Sequence, residues 1–134
     1  MPRTKSQLRP FMMREPLATL CTVGPRHAPH AVPVWFTYKA GRAFVQTDRK
    51  SVKVRNIQRD PRVCFTVYKE DEAVVLFGTA AVVPEAEFNT RTAEHIRKYG
   101  LRLDKQGRDS LGIPLFDHRV RCVIKITPDR VLYW

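Results

Sequence analysis

"TDRKSVKVRNIQRDP", residues 47–61, is the point at which the periodicity of the sequence changes. The apolar positions before it alternate with a period of two, which is typical of a β-strand. After Ser51 the apolar positions Val54 and Ile57 are three residues apart, which predicts a short helix with one buried face. Ser51 is a good N-cap residue, and proline disfavours the α conformation for the residue that precedes it. The helix is therefore expected to begin after Ser51, to end before Asp60-Pro61 and to run over residues 52–59.

The same stretch is strongly basic. A helix N-terminus carries free N–H groups and the positive end of the helix dipole, so it attracts phosphate and other anions. Lys53 falls beside Ile57 at the edge of the buried face, whereas Arg55 and Arg59 point away from it. Two interpretations remain open: a solvated basic face, or an anion site built from the helix start, Ser51 and Lys53.

The flanking segments predict a mainly β fold. The predicted strands cover residues 17–23, 30–38, 42–47, 62–69, 73–83 and 118–127, and a last segment at 130–134 follows a turn at Pro128-Asp129. A longer helix is expected over 84–99, and residues 101–117 read as a loop with a further helical turn. Gly78 inside a strand suggests a bulge or a close backbone approach.

The predicted architecture is therefore an antiparallel β-barrel of six or seven strands with short helices, in a single domain over residues 1–134. In the clearest strand, Val120, Cys122, Ile124 and Ile126 are expected to point inward. Several strands are apolar on both faces. A sheet closed on itself, or packed against a second chain, explains that pattern.

Composition limits the class of protein. No apolar run reaches the roughly 18 residues of a membrane span, and no signal-peptide pattern is evident, so a cytoplasmic protein without a membrane partner is expected. Cys21, Cys64 and Cys122 are widely spaced in apolar runs, which indicates buried free thiols and no metal site. The four histidines are scattered and indicate turn or surface positions.

The charge balance favours anionic partners. Lys and Arg number 24 against 13 acidic residues, which gives a formal net charge of +11. Nucleic-acid binding is an alternative function that rests on this charge alone, because no nucleic-acid recognition motif is present.

The strand around Pro33 offers a second candidate feature. Proline lacks an N–H group, so Pro33 is expected on an edge strand or at a bulge, where free backbone groups can meet a planar heterocycle. Trp35 shares the face of Pro33. It is expected either to pack against such a ring or to fill the core.

Residues 17–68 resemble the pyridoxamine 5′-phosphate oxidase-like superfamily with its FMN-binding split β-barrel, and most closely its small members described as F420-dependent. The resemblance is carried, in order and spacing, by "PHAVPVWF", by the strand that ends at Thr47 and by "SVKVRNIQRDPRV". It extends more weakly through "AVVLFGTAAVV" and "ITPDRVLYW". It implies a homodimer with two flavin-type cofactors, each bound by both chains.

The resemblance also implies cofactor-binding residues. The cofactor ring is expected beside Val32, Pro33, Val34 and Trp35, and the phosphate beside Thr47, Ser51 and Lys53, with Arg55 as a weaker candidate.

The expected function is an oxidoreductase that uses FMN or coenzyme F420 on a small-molecule substrate. The catalytic residues are unknown, because no acid, base or nucleophile constellation stands out; hydride chemistry is carried by the cofactor. A non-catalytic flavin or haem carrier is the alternative. The closing "RVLYW" lacks the Arg/His substrate motif of true pyridoxamine phosphate oxidases, so oxidation of that vitamin is not expected.

Overall fold

The computed structural model describes residues 5–133, with side chains from Gln7 onward, and this part forms three α-helices and seven β-strands. The predicted end of the last segment, at Trp134, lies outside the described residues. The helices are α1 (Lys5–Arg14), α2 (Val52–Arg59) and α3 (Glu85–Tyr99). The strands are β1 (Ala18–Val23), β2 (Pro29–Val34), β3 (Thr37–Lys39), β4 (Arg42–Asp48), β5 (Arg62–Lys69), β6 (Glu72–Val82) and β7 (Arg121–Tyr133).

All seven strands belong to one antiparallel sheet in the order β2-β1-β5-β6-β7-β4-β3. The two edge strands, β2 and β3, are joined only by Trp35 and Phe36. Seven flat strands would separate the edges by about 29 Å, and this link spans about 10 Å. The sheet therefore curls into a half-barrel, which confirms the predicted split β-barrel.

The predicted strand over residues 30–38 is wrong as a single element. The chain leaves the sheet after Val34 and enters the opposite edge at Thr37. Trp35 is half-exposed and Phe36 is completely buried, so the alternation of burial continues through the corner even though the pairing does not. A period-two pattern records only which residues are buried, and for that reason it misses the break.

Three predictions for the C-terminal third are also wrong. The chain does not turn at Pro128-Asp129, because β7 continues to Tyr133. Val120 is exposed and precedes the strand, and residues 101–117 form turns without a helix.

Gly78 explains why Pro128 is tolerated within β7. It pairs with Pro128 beside a register shift, and a Cβ atom on Gly78 would lie 2.1 Å from the Thr127 carbonyl oxygen. The predicted bulge and close backbone approach are therefore confirmed.

The inner face of the curled sheet forms the main core. Its largest fully buried side chains include Leu20, Phe36, Phe65 and Leu76. Helix α1, which the sequence reasoning did not predict, adds the buried side chains of Phe11 and Met12 and packs on β3. The core is thus completed by a helix outside the sheet.

The other two helices cover further surfaces of the sheet. Val54 and Ile57 of α2 are buried, as predicted, and Asn56 Nδ2 donates to the Thr22 hydroxyl over 2.9 Å. Helix α3 packs on β4 and β7 through a second apolar cluster that contains Phe44 and Phe88. None of the helices within residues 5–133 is both long enough and apolar enough to cross a membrane.

Candidate functional site

The junction between β4 and α2 forms the first part of the candidate site. The Asp48 carboxylate accepts a hydrogen bond from the Lys50 N–H over 2.7 Å, which closes a tight turn after the strand. Ser51 then takes extended dihedral angles at the N-cap, and its carbonyl accepts the first helical hydrogen bond from Arg55 over 3.2 Å. The predicted strand-to-helix transition is thus confirmed at Ser51.

The Ser51 hydroxyl is unusual for an N-cap residue. An N-cap serine normally accepts a hydrogen bond from an N–H group in the first helical turn. Here the side chain makes no capping bond, and its Oγ is buried without a hydrogen-bond partner among the described residues. A buried hydroxyl without a partner costs free energy, so it marks a position where a ligand atom can supply the missing bond.

A cleft of about 340 Å³ opens beside this junction. It is bounded by the end of β2 and the following corner, by β4, by α2 and α3, by the start of β7 and by the loop after α3. Its lining includes five of the eight predicted cofactor-binding residues, namely Pro33, Val34, Trp35, Thr47 and Lys53. The fold therefore brings the two halves of the predicted site to one cleft.

The other three predicted residues lie outside the lining. Val32 is partly buried and packs against the barrel core. Ser51 lies at the helix start, two residues before Lys53. Arg55 is exposed on the outward face of α2, so it is the weakest of the eight candidates in position as well as in sequence.

Two cations line the cleft and form no direct ion pair among the described residues, although the Asp48 carboxylate attracts both of them and the Asp109 carboxylate attracts Arg121. Lys53 and Arg121 both line it, and the ion pairs of the described residues involve other cations. Burial lowers the pKa of the Lys53 ammonium, and repulsion by Arg121 lowers this pKa further. Burial also lowers the pKa of the Arg121 guanidinium. An anion bound between the two groups would relieve both effects.

Gln46 fixes the position of Arg121. Its Oε1 accepts hydrogen bonds from Nε and Nη2 of Arg121 over 3.1 and 2.8 Å. Its Nε2 donates to the Leu115 carbonyl oxygen over 2.7 Å, which ties the loop after α3 to the same point. The guanidinium is therefore held at the wall of the cleft.

Aromatic side chains also line the cleft. The Trp35 indole stacks on the Tyr99 ring, with centroids 4.4 Å apart and planes 10° apart. His95 lies 6.1 Å from the Trp35 ring and is 6% exposed. Burial, followed by repulsion from Arg121 and Lys98, lowers the pKa of His95 to about 4, so the imidazole is neutral at pH 7.

Sequence reasoning missed Gln46, His95 and Arg121. Arg121 lies between Val120 and Cys122, which were expected to point inward, so the alternation predicts an outward side chain, and an outward arginine gives no signal that another helix and loop enclose it. His95 lies within an amphipathic helix, where its position on the cleft depends on how α3 packs on the sheet. Only the tertiary arrangement brings these residues together.

The cleft thus combines cationic side chains with aromatic ones. Such a site suits a ligand that has an anionic group and a planar ring. Within residues 5–133, no group of three or more His, Cys, Asp or Glu side chains is arranged to hold a metal ion.

Comparisons with known proteins agree with this fold. The family model of pyridoxamine 5′-phosphate oxidase matches residues 4–134. The sequence has no significant match among the curated proteins. Among solved structures, a conserved hypothetical protein from Mycobacterium tuberculosis has a TM-score of 0.81 and 26% identity, over 98% of this chain and 84% of its own.

Two further solved structures share the fold at lower identity. One is described as an F420 reductase, with a TM-score of 0.73 and 21% identity over 98% of both chains. The other is the haem storage protein HutZ from Vibrio cholerae, with a TM-score of 0.76 and 13% identity over 96% of this chain and 93% of its own. At these identities the similarity shows the fold alone.

The curled antiparallel sheet, with a cleft at the start of its inserted helix, places the protein among the split β-barrels. The chain belongs to the pyridoxamine 5′-phosphate oxidase family.

Proposed function

We propose that the protein binds FMN or coenzyme F420 in this cleft and is an oxidoreductase that acts on a small-molecule substrate. One observation carries the proposal: Lys53 and Arg121, which form no direct ion pair among the described residues, share a cleft with the corner at Pro33–Trp35. The family membership and the fold shared with an F420 reductase support it.

The cationic side chains fit the phosphate of either cofactor. Lys53 and Arg121 supply charge, Thr47 supplies a hydroxyl, and the first turn of α2 supplies N–H groups that have no partner within the helix. The partnerless hydroxyl of Ser51 adds a further hydrogen bond at the helix start. The resemblance assigned Thr47, Ser51 and Lys53 to the phosphate. Arg121 is thus a fourth candidate for the same role.

The corner at Pro33–Trp35 fits the cofactor ring. Val34 and Pro33 lie at the end of an edge strand, where backbone groups have no second neighbour, and Trp35 offers a half-exposed indole. A bound flavin or deazaflavin would supply the hydride chemistry. The residues of the chain bind and orient it, which is consistent with the lack of an acid–base constellation.

The functional unit that we propose is a homodimer with the cofactor bound by both chains. On β1, β5 and β6, six side chains that point away from the core are half-buried and uncharged. We call these residues the outer face: Thr19, Cys21, Cys64, Thr66, Val75 and Phe77. The face continues through the pair of Thr19 and Pro33 to the cleft. A second copy on it would lie next to the cofactor ring.

The proposal is tested by cofactor binding. We expect mass spectrometry of the small molecule released from purified protein to identify FMN or F420. Fluorescence titration should then show that Lys53→Ala weakens the affinity for that cofactor by about one to two powers of ten, because a charge-assisted hydrogen bond is lost.

Two variants serve as controls. Lys69→Ala removes the same charge from an exposed site on β5, and Arg59→Ala removes one from the outward face of α2. Both should change the affinity far less, because solvated charges are screened within about 10 Å. Equal losses of cofactor affinity in all three variants would mean that the overall positive charge attracts the cofactor and that Lys53 is not part of a specific phosphate site. Colourless protein that binds DNA in a salt-sensitive way would favour the nucleic-acid alternative, and bound flavin without any turnover would favour a carrier.

A further inference from the structure

The corner between β2 and β3 carries Trp35, which lines the cleft, but it is not part of the sheet. Trp35 and Phe36 link opposite edges and lie outside both strands. Their backbone groups therefore depend on partners outside the ladder. The geometry of the corner must be fixed by another element.

The hydroxyl of Tyr99, in the last turn of α3, is that partner. It accepts a hydrogen bond from the Phe36 N–H over 2.9 Å. It also lies 2.8 Å from the Pro16 carbonyl oxygen and 3.0 Å from the Phe36 carbonyl oxygen, and donates its proton to one of them. One hydroxyl thus joins the corner to the segment that leads into β1.

The ring of the same residue holds the Trp35 side chain. The two rings are stacked nearly parallel, which leaves the other face of the half-exposed indole free to line the cleft. Among the described residues, the aromatic contacts of Trp35 come from Tyr99 and His95. Both belong to α3, so the position of the indole depends on this helix.

The last turn of α3 is itself anchored. Lys98 Nζ lies 3.8 Å from the centroid of the Phe36 ring and donates to the Glu15 carbonyl oxygen over 2.8 Å. The helix ends at Gly100 in the left-handed conformation, which suits glycine. The ring and the hydroxyl of Tyr99 are therefore held in a fixed position.

We propose that Tyr99 is a positioning residue of the cofactor cleft: its hydroxyl fixes the Phe36 peptide and its ring fixes the Trp35 indole, so that the ring of the cofactor meets a preformed corner. This inference rests on the proposed function for the identity of the ligand. The positioning of Trp35 itself is a property of the protein without ligand.

The first measurement needs no cofactor. In a Trp134→Phe background, Trp35 is the only tryptophan of the chain. Tyr99→Phe keeps the ring but removes the hydroxyl, and we expect it to increase acrylamide quenching of Trp35 fluorescence about twofold or more. Tyr68→Phe, at a residue that is 69% exposed on β5, is the matched control and should leave quenching unchanged.

The second measurement uses FMN and F420 as the probes. Tyr99→Phe should weaken the affinity of the bound cofactor about 3- to 10-fold, the effect of one lost hydrogen bond. In a Trp35→Leu background the same substitution should have much less effect, because Tyr99 acts through Trp35.

The outcomes separate the two proposals. If the wild-type protein binds neither FMN nor F420, the proposed function fails, and the quenching result still decides whether Tyr99 positions Trp35. If Tyr99→Phe lowers the melting temperature but leaves quenching and affinity at wild-type values, Tyr99 is merely structural and the inference is overturned. An equal loss of affinity with and without Trp35 also overturns it.

Discussion

The cleft contains ionisable groups in two different charge states. Lys53 and Arg121 keep their charge although burial disfavours it, whereas His95 gives up its charge under burial and the repulsion of Arg121 and Lys98. The consequence is a cleft lined both by cations and by neutral rings. An anionic ligand with a planar ring is complementary to that distribution.

His95 makes the stability of the protein sensitive to acid. Its pKa is about 4 in the folded protein, and its usual value of 6.5 applies to the unfolded chain. Between these values the unfolded state binds more protons, so the free energy of unfolding falls as the pH falls. At pH 5 the loss from this group is about 2 kcal/mol relative to neutral pH. We expect urea unfolding at pH 7.5 and pH 5 to show a smaller difference for His95→Gln than for the wild type.

The exposed His118 provides the control. Its imidazole lies 3.2 Å from the Glu85 carboxylate on the surface, and His118→Gln should leave the His95-dependent loss in place. If wild type and His95→Gln lost the same free energy of unfolding between the two pH values, the neutral state of His95 would not be the cause of the acid sensitivity.

At the residue scale, local sequence made part of the site predictable. Thr47, Ser51 and Lys53 lie within one stretch that crosses from a strand into a helix, so periodicity and the resemblance together identified them. Gln46 and Arg121 are 75 positions apart and meet through the pairing of β4 and β7. Nothing in either local pattern marks such a contact.

At the element scale, the sequence predicted most strands because each has one buried face. It failed where the pairing changes within an apolar run, at the corner after β2, and where a bulge lets proline stay in β7. It also failed for α1, whose contribution to the core depends on its position against β3. Periodicity identifies faces of an element, and the neighbours of that element are set by the whole chain.

The bulge between β6 and β7 leads to a prediction at this scale. Gly78→Ala places a Cβ atom 2.1 Å from the Thr127 carbonyl oxygen and 2.7 Å from the Pro128 Cα. Both contacts are with backbone, so one strand must move, and overpacking of this kind costs about 3 kcal/mol. Chemical denaturation should show that loss, while Thr79→Ala, at the exposed neighbouring position, should change the free energy of unfolding by less than about 0.5 kcal/mol. A wild-type value for Gly78→Ala would mean that the bulge is not tightly packed.

At the scale of the whole molecule, the distribution of charge is uneven. The chain carries a net charge of +11, which keeps most surfaces of two copies apart. The six residues of the outer face carry no charge, although Arg62 borders it beside Cys21 and Cys64 and Arg130 lies over the Phe77 ring at 4.2 Å. Two copies can therefore approach most favourably through this face. Its continuity with Pro33 connects the proposed dimer interface to the proposed cofactor cleft.

We expect the protein to sediment as a dimer at micromolar concentration, with an interface that buries well over roughly 2,000 Å² in total, the range of obligate dimers.

Thr66→Arg introduces a charge at a half-buried position of the outer face, so that the two copies repel and each charge loses water. This variant should sediment as a monomer and bind the cofactor at least tenfold more weakly, because a site shared by two chains is lost. Gln58→Arg adds the same charge on the exposed side of α2 and should remain a dimer with wild-type affinity. A monomeric wild-type protein would contradict the assembly, and a dimeric Thr66→Arg variant would place the interface elsewhere.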